Sequence, residues 1–228
     1  MDIYFIRHGH PNYETDSLTE LGNKQAKAVS NRLKNCNIER IYSSTMGRAI
    51  QTANYTANLL NLDVTLCDFM REVSWANVSS EPILLNAHPW NVAEHFVKQG
   101  ISLNTFNWQT VYPFNKSELP NSYNRVIKGF DLWLEQLGYK RDGDYYRPLG
   151  KEKYKTVAMF SHGGATISAL SHALNIPFIQ LCDNFHIFFT SVTILRLEAN
   201  ENNIVSPKII LLNDTLHVDN LLTENVFN

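Results

Sequence analysis

Residues 3–9 read Ile3-Tyr4-Phe5-Ile6-Arg7-His8-Gly9. Four β-prone residues stop abruptly at a guanidinium, an imidazole and a glycine, as expected of a strand that delivers polar side chains to a sheet edge. A second stretch repeats the plan: Thr156-Val157-Ala158-Met159-Phe160 runs straight into Ser161-His162-Gly163-Gly164 and then a helix-prone segment, Ala165 to Leu174. An unbroken apolar run of that length is the pattern of a strand buried on both faces. Between the two, Thr19 can cap a helix carrying Leu21, Ala28, Val29 and Leu33 at helical spacing. Ile38 to Tyr42 reads as a strand, Met46 to Leu60 as a helix capped from Ser43-Ser44-Thr45, and Val64 to Cys67 as a third strand. Strand, helix, strand, helix, strand is the signature of an α/β sandwich with parallel strands.

Further along, Asn121 to Leu137 places Val126, Phe130, Trp133 and Leu137 on one helical face and ends at Gly138. Ser191 to Leu197 and Lys208 to Leu212 resemble two more strands around the polar turn Asn200 to Asn203. The stretch from about 74 to 120 lacks clean periodicity apart from a helix near Val92 to Val97. It is rich in aromatics, among them Trp75, Trp90, Phe96, Trp108 and Phe114. It reads as a lid insertion within a single domain spanning residues 1–228.

Composition narrows the function classes. Twenty Lys and Arg stand against 22 Asp and Glu in 228 residues, a net charge of -2, with no basic cluster suited to a nucleic-acid backbone. Three widely spaced cysteines, Cys36, Cys67 and Cys182, read as reduced core thiols. The four apolar residues before Arg7 are too few for a signal-peptide core, and no run approaches the ~20 apolar residues of a membrane span. The expectation is a soluble, cytoplasmic monomer or homodimer with neither nucleic-acid nor membrane partners.

Phosphoryl transfer needs positive charge around the equatorial oxygens and a nucleophile in line with the leaving group. Arg7 and Arg48 supply two guanidinium forks and His8 and His162 two imidazoles, all where strands end and helices begin. Taken singly, Arg48 also reads as a solvated helix residue and His162 as a turn residue. Together they read as a phosphate site.

Arg7-His8-Gly9, Leu18-Thr19-x-x-Gly22-x-x-Gln25-Ala26, Tyr42-Ser43-Ser44-x-x-x-Arg48-Ala49-x-Gln51-Thr52-Ala53, Arg71-Glu72 and Ser161-His162-Gly163-Gly164 resemble, in this order, the signature blocks of the histidine phosphatase superfamily. The resemblance implies a phosphoglycerate mutase-like, three-layer sandwich around a mostly parallel sheet. It implies phosphatase activity on small phosphate monoesters through a phosphohistidine on His8, with no cofactor and no metal. His8 would attack through Nε2 while a backbone carbonyl holds Nδ1-H. Arg7, Arg48 and His162 would clamp the phosphoryl oxygens with Gly163 beside them. Glu72 would protonate the leaving oxygen and then activate water; its plainer reading is a surface carboxylate paired with Arg71.

Two departures from the family pattern stand beside the nucleophile. His10 occupies a position where the family commonly has Glu or a small polar residue, and it joins the candidate substrate contacts. Glu14 stands where many members have a phosphate-binding Asn, and is expected to point away from phosphate. The loop from Gly9 to Leu18 is shorter than in the mutases, which favours hydrolysis over 2,3-bisphosphoglycerate-dependent mutase activity. A third reading is a catalytically idle phospho-ligand binder. The lid, poor in Lys and Arg, favours a small monophosphate with an apolar or sugar-like body over a multiply phosphorylated sugar.

Overall fold

The computed structural model of the chain describes residues 1–76 and 88–221. Part of the expected insertion, residues 77–87, lies outside the described residues. The first strand, β1 (Asp2–Arg7), turns Ile3 and Phe5 to one side of a sheet and Ile6 to the other, all three fully or almost fully buried. A two-residue ladder, β2 (Pro11–Asn12) and β3 (Ser17–Leu18), closes the loop after it. Then follow α1 (Glu20–Leu33), β4 (Arg40–Ser43), α2 (Gly47–Leu60) and β5 (Val64–Leu66). The Thr19 hydroxyl accepts the Gly22 amide at 3.1 Å, as its capping position predicts.

The insertion contributes one short helix, α3 (Ala93–Lys98), between 3-10 turns. It leads into α4 (Leu119–Leu137), which stops at Gly138 with φ 107°, the left-handed cap expected there. A hairpin, β6 (Tyr139–Asp142) and β7 (Tyr145–Pro148), comes next, then β8 (Thr156–Ser161), α5 (Gly163–Leu174), α6 (Phe178–Asn184), β9 (Val192–Arg196) and β10 (Lys208–Asp214).

The central sheet runs β10-β9-β1-β8-β4-β5; the β1, β8, β4 and β5 neighbours pair in parallel, and β9 and β10 complete it antiparallel. β8 is buried throughout its apolar run, from Val157 to Phe160, because helices cover both faces. One face packs Ile6, Ala158 and Phe160 against Val29 and Leu33 of α1 and Ala53 and Ala57 of α2. The other packs Phe5, Val157 and Met159 against Phe130 and Leu134 of α4 and Ile167 and Leu170 of α5. This is the three-layer, mostly parallel α/β sandwich expected from the sequence.

The β2–β3 ladder, the β6–β7 hairpin and α6 are additions to the expectation. The hairpin turns on Gly143-Asp144, between the paired Asp142 and Tyr145, with Gly143 at φ 61°, and α6 is a seven-residue helix too short to show periodicity. The insertion is not a separate layer. Phe96, Trp108 and Phe114 are sealed in the same core as Ile3 and Phe5, and Trp108 packs edge-on to Phe114 and Tyr123 and tilted on Phe178. Among the described residues no helix is long and apolar enough to cross a membrane.

Candidate active site

Parallel pairing aligns three strand ends. Arg7 lies opposite Ser161, and Ser43 opposite Phe160. The ladder runs one residue further: His8 N donates to Ser161 O at 2.9 Å and Ser44 N to Phe160 O at 2.9 Å. His8, His162 and Ser44 are thereby set side by side at the carboxyl edge of the sheet, where open α/β folds hold their ligands.

His8 is almost completely buried and its Nδ1 lies 2.7 Å from Gly9 O, which places the ring proton on Nδ1. Nε2 is left unprotonated and accepts the Arg48 Nε hydrogen at 3.2 Å. Burial, then the charges of Arg7 and Arg48, hold the His8 pKa well below 6.5, so the imidazole is a neutral nucleophile. His162 is fully buried with its ring 5.0 Å from that of His8, edge-on. Its Nε2 is 2.8 Å from Ser44 Oγ, which already accepts the Met46 amide at 3.2 Å. Its buried Nδ1 has no hydrogen-bond partner.

Arg7 points one Nη into the Ile187 carbonyl at 2.5 Å and lays its guanidinium 4.0 Å over the Phe189 ring, while its buried Nε has no partner. Arg48, 5% exposed, is held by Asp16, whose Oδ1 accepts Nη1 at 2.5 Å and whose Oδ2 accepts the Gly47 amide at 2.6 Å. The Asp16 carboxylate thus does what Ser43-Ser44-Thr45 was expected to do: it occupies the N-terminus of α2, while the Ser44 hydroxyl turns to His162. The contacts of Asp16 with Arg48 and of Ser44 with His162 are ones that the motif reading missed.

Glu72 does not pair with Arg71, which bonds Asp68 at 3.0 Å. Its carboxyl faces the N-terminus of α5, Oε1 accepting Val73 N and Ala165 N at 2.9 Å each and Oε2 accepting Gly164 N at 3.3 Å. Burial pushes its pKa above 4.5 although these amides and Arg7 pull the other way. Arg125 donates to the carbonyls of Arg71 and Glu72 and so fixes this segment from α4.

Arg7, His8, Arg48, Glu72 and Gly163 line one cavity of about 540 Å³. His162 backs the wall without reaching it, and His10 lies outside the lining. The His10 Nδ1 sits 3.0 Å from Thr19 Oγ1 and its amide donates to Gln25 Oε1 at 2.7 Å, so His10 ties the nucleophile loop to α1. Glu14 is exposed and does not line the cavity.

The fold and the strand-end cluster define a phosphoglycerate mutase-like α/β protein. The histidine phosphatase superfamily (branch 1) model matches residues 3–97, so the resemblance carried by the first four signature blocks is borne out there. A probable phosphoglycerate mutase of Yersinia pestis is 33% identical over 92 residues, 36% of this chain. The match spans 43% of the length of that relative. Among solved structures, mycobacterial glucosyl-3-phosphoglycerate phosphatase superposes with a TM-score of 0.64 at 18% identity, covering 94% of this chain and 99% of the other. Phosphoserine phosphatase from Entamoeba histolytica gives 0.63 at 20% identity, covering 95% and 98%.

Proposed function

We propose that this protein hydrolyses phosphate monoesters of small molecules, with His8 as the phosphoryl acceptor. The observation that carries the reading is a neutral imidazole whose free Nε2 sits among two guanidiniums, in one cavity with a carboxyl whose pKa burial raises above 4.5. A bound ester's oxygens take hydrogen bonds from Arg7 Nε and Arg48, and withdrawing Arg48 Nε from His8 exposes the attacking lone pair. Nε2 bonds to phosphorus as the P–O ester bond breaks, and Glu72 gives its proton to the departing alkoxide. Water then attacks phosphorus, Glu72 takes the water's proton, and the P–N bond breaks to release phosphate and neutral His8.

Positive charge comes from arginine, so EDTA should leave the rate unchanged. Three free thiols, Cys36, Cys67 and Cys182, suit a reducing cytoplasm. Quenching during turnover should trap acid-labile, alkali-stable phosphate on His8, and His8→Ala should abolish both adduct and turnover. Full turnover with no adduct would sink the proposal.

A further inference from the structure

The wall beside the acid is aromatic. Trp75, His88 and Trp90 all line the cavity and all remain partly exposed. Their rings pack on one another, with centroids 4.7 Å apart for Trp75–His88, 5.4 Å for His88–Trp90 and 5.6 Å for Trp75–Trp90. Rings so close fill the space between them. They make a continuous surface and not an open-centred cage, the arrangement a quaternary ammonium would need. The point where a Cβ on Gly164 would sit is 2.8 Å from Glu72 Oε1 and 3.2 Å from Trp75 Cη2. The indole edge therefore begins where the leaving oxygen would collect its proton.

Charge on this wall is scarce. Among the described residues the Asp, Glu, Lys and Arg side chains lining the cavity are Arg7, Arg48 and Glu72, beside the imidazoles of His8, His88 and His186, and both guanidiniums serve the phosphoryl end. Burial pushes the His88 pKa down to about 4, so that ring is neutral at physiological pH. A leaving group bearing a carboxylate or a second phosphate would be desolvated against indole without a cation to meet it, whereas a flat ring would stack.

We propose that Trp75, His88 and Trp90 are a stacking subsite for the leaving group, selecting phosphomonoesters whose alcohol carries an uncharged planar aromatic ring. The inference rests on the phosphatase reading above and deepens it by naming the substrate class.

Calorimetric titration of the whole protein with non-hydrolysable phosphonates tests it apart from turnover. Benzylphosphonate should bind at least about tenfold more tightly than 2-carboxyethylphosphonate, the scale of one stacked ring. Trp90→Ala should erase most of that gap and leave the affinity for inorganic phosphate unchanged, and Trp90→Phe should keep the gap. Equal or tighter binding of the carboxylate probe, or parallel loss of phosphate and benzylphosphonate in a folded Trp90→Phe variant, overturns the stacking subsite. Ring-selective binding without any ester turnover would instead overturn the hydrolase and leave the subsite standing.

Discussion

Glu72 and His8 are displaced from their ordinary pKa values in opposite directions by the same cause. Burial disfavours charge, so the carboxyl titrates above 4.5 and the imidazole well below 6.5. The proposed chemistry needs Glu72 protonated and His8 neutral, so both shifts widen the window in which the active pair exists. For alkyl phosphates kcat should fall as pH rises through the Glu72 pKa. Glu72→Gln should remove that alkaline limb and cost roughly 10²–10⁴ in rate, with a loss under about tenfold for p-nitrophenyl phosphate, whose leaving group needs no proton. Equal losses on both substrates would take the acid role from Glu72. Arg7, His8, Arg48 and Glu72 were legible in the sequence because each sits inside a compact signature block. Asp16 was not, and Ser44 was read only as part of a helix cap, because the side chains they contact lie 32 and 118 positions away. A hydrogen bond across such separations leaves no periodic trace.

Helix α5 begins two residues before the sequence suggests, at Gly163, and that difference decides how Glu72 is held. The first free amides of the helix become carboxylate donors, and Gly164 must lack a side chain for them to be reached. A Cβ at Gly164 would come within 2.5 Å of Val73 Cγ2 and 2.8 Å of Glu72 Oε1, whereas at Gly163 the nearest neighbour is Arg7 Nε at an ordinary 3.7 Å. Helix propensity alone favours Ala at either position by about 1 kcal/mol. Gly164→Ala should nevertheless slow alkyl phosphates selectively, copying the leaving-group signature of Glu72→Gln, while Gly163→Ala stays within a few-fold of wild type on every ester. Helices α1, α2 and α4 were readable because each shows three or four turns of apolar periodicity. The hairpin and α6 offered too few residues for a period to emerge, although Gly143-Asp144 was a usable turn signal.

Across the whole molecule, the insertion and the sheet share one apolar core. Trp108→Ala should cost about 3–5 kcal/mol, as expected for a large buried aromatic, and urea unfolding of the wild type should show one transition by fluorescence and circular dichroism alike. A separate early transition in the fluorescence trace would mean that the insertion folds independently. The buried imidazoles add an acid dependence. His8 and His162 have folded pKa values depressed below 6.5, so the stability that goes with their neutral forms is present above pH 6.5 and is lost as pH falls below it. The urea midpoint should drop between pH 6.5 and 5, and more shallowly in His162→Asn. An unchanged midpoint slope in that variant would remove His162 from the account. The aromatic residues of residues 88–118 divide their labour: Phe96, Trp108 and Phe114 are interior struts, while Trp90 keeps an open face on the cavity. On the proposed reading, exchanging one cavity-facing ring would retune which leaving groups are accepted without loosening the struts that hold the scaffold.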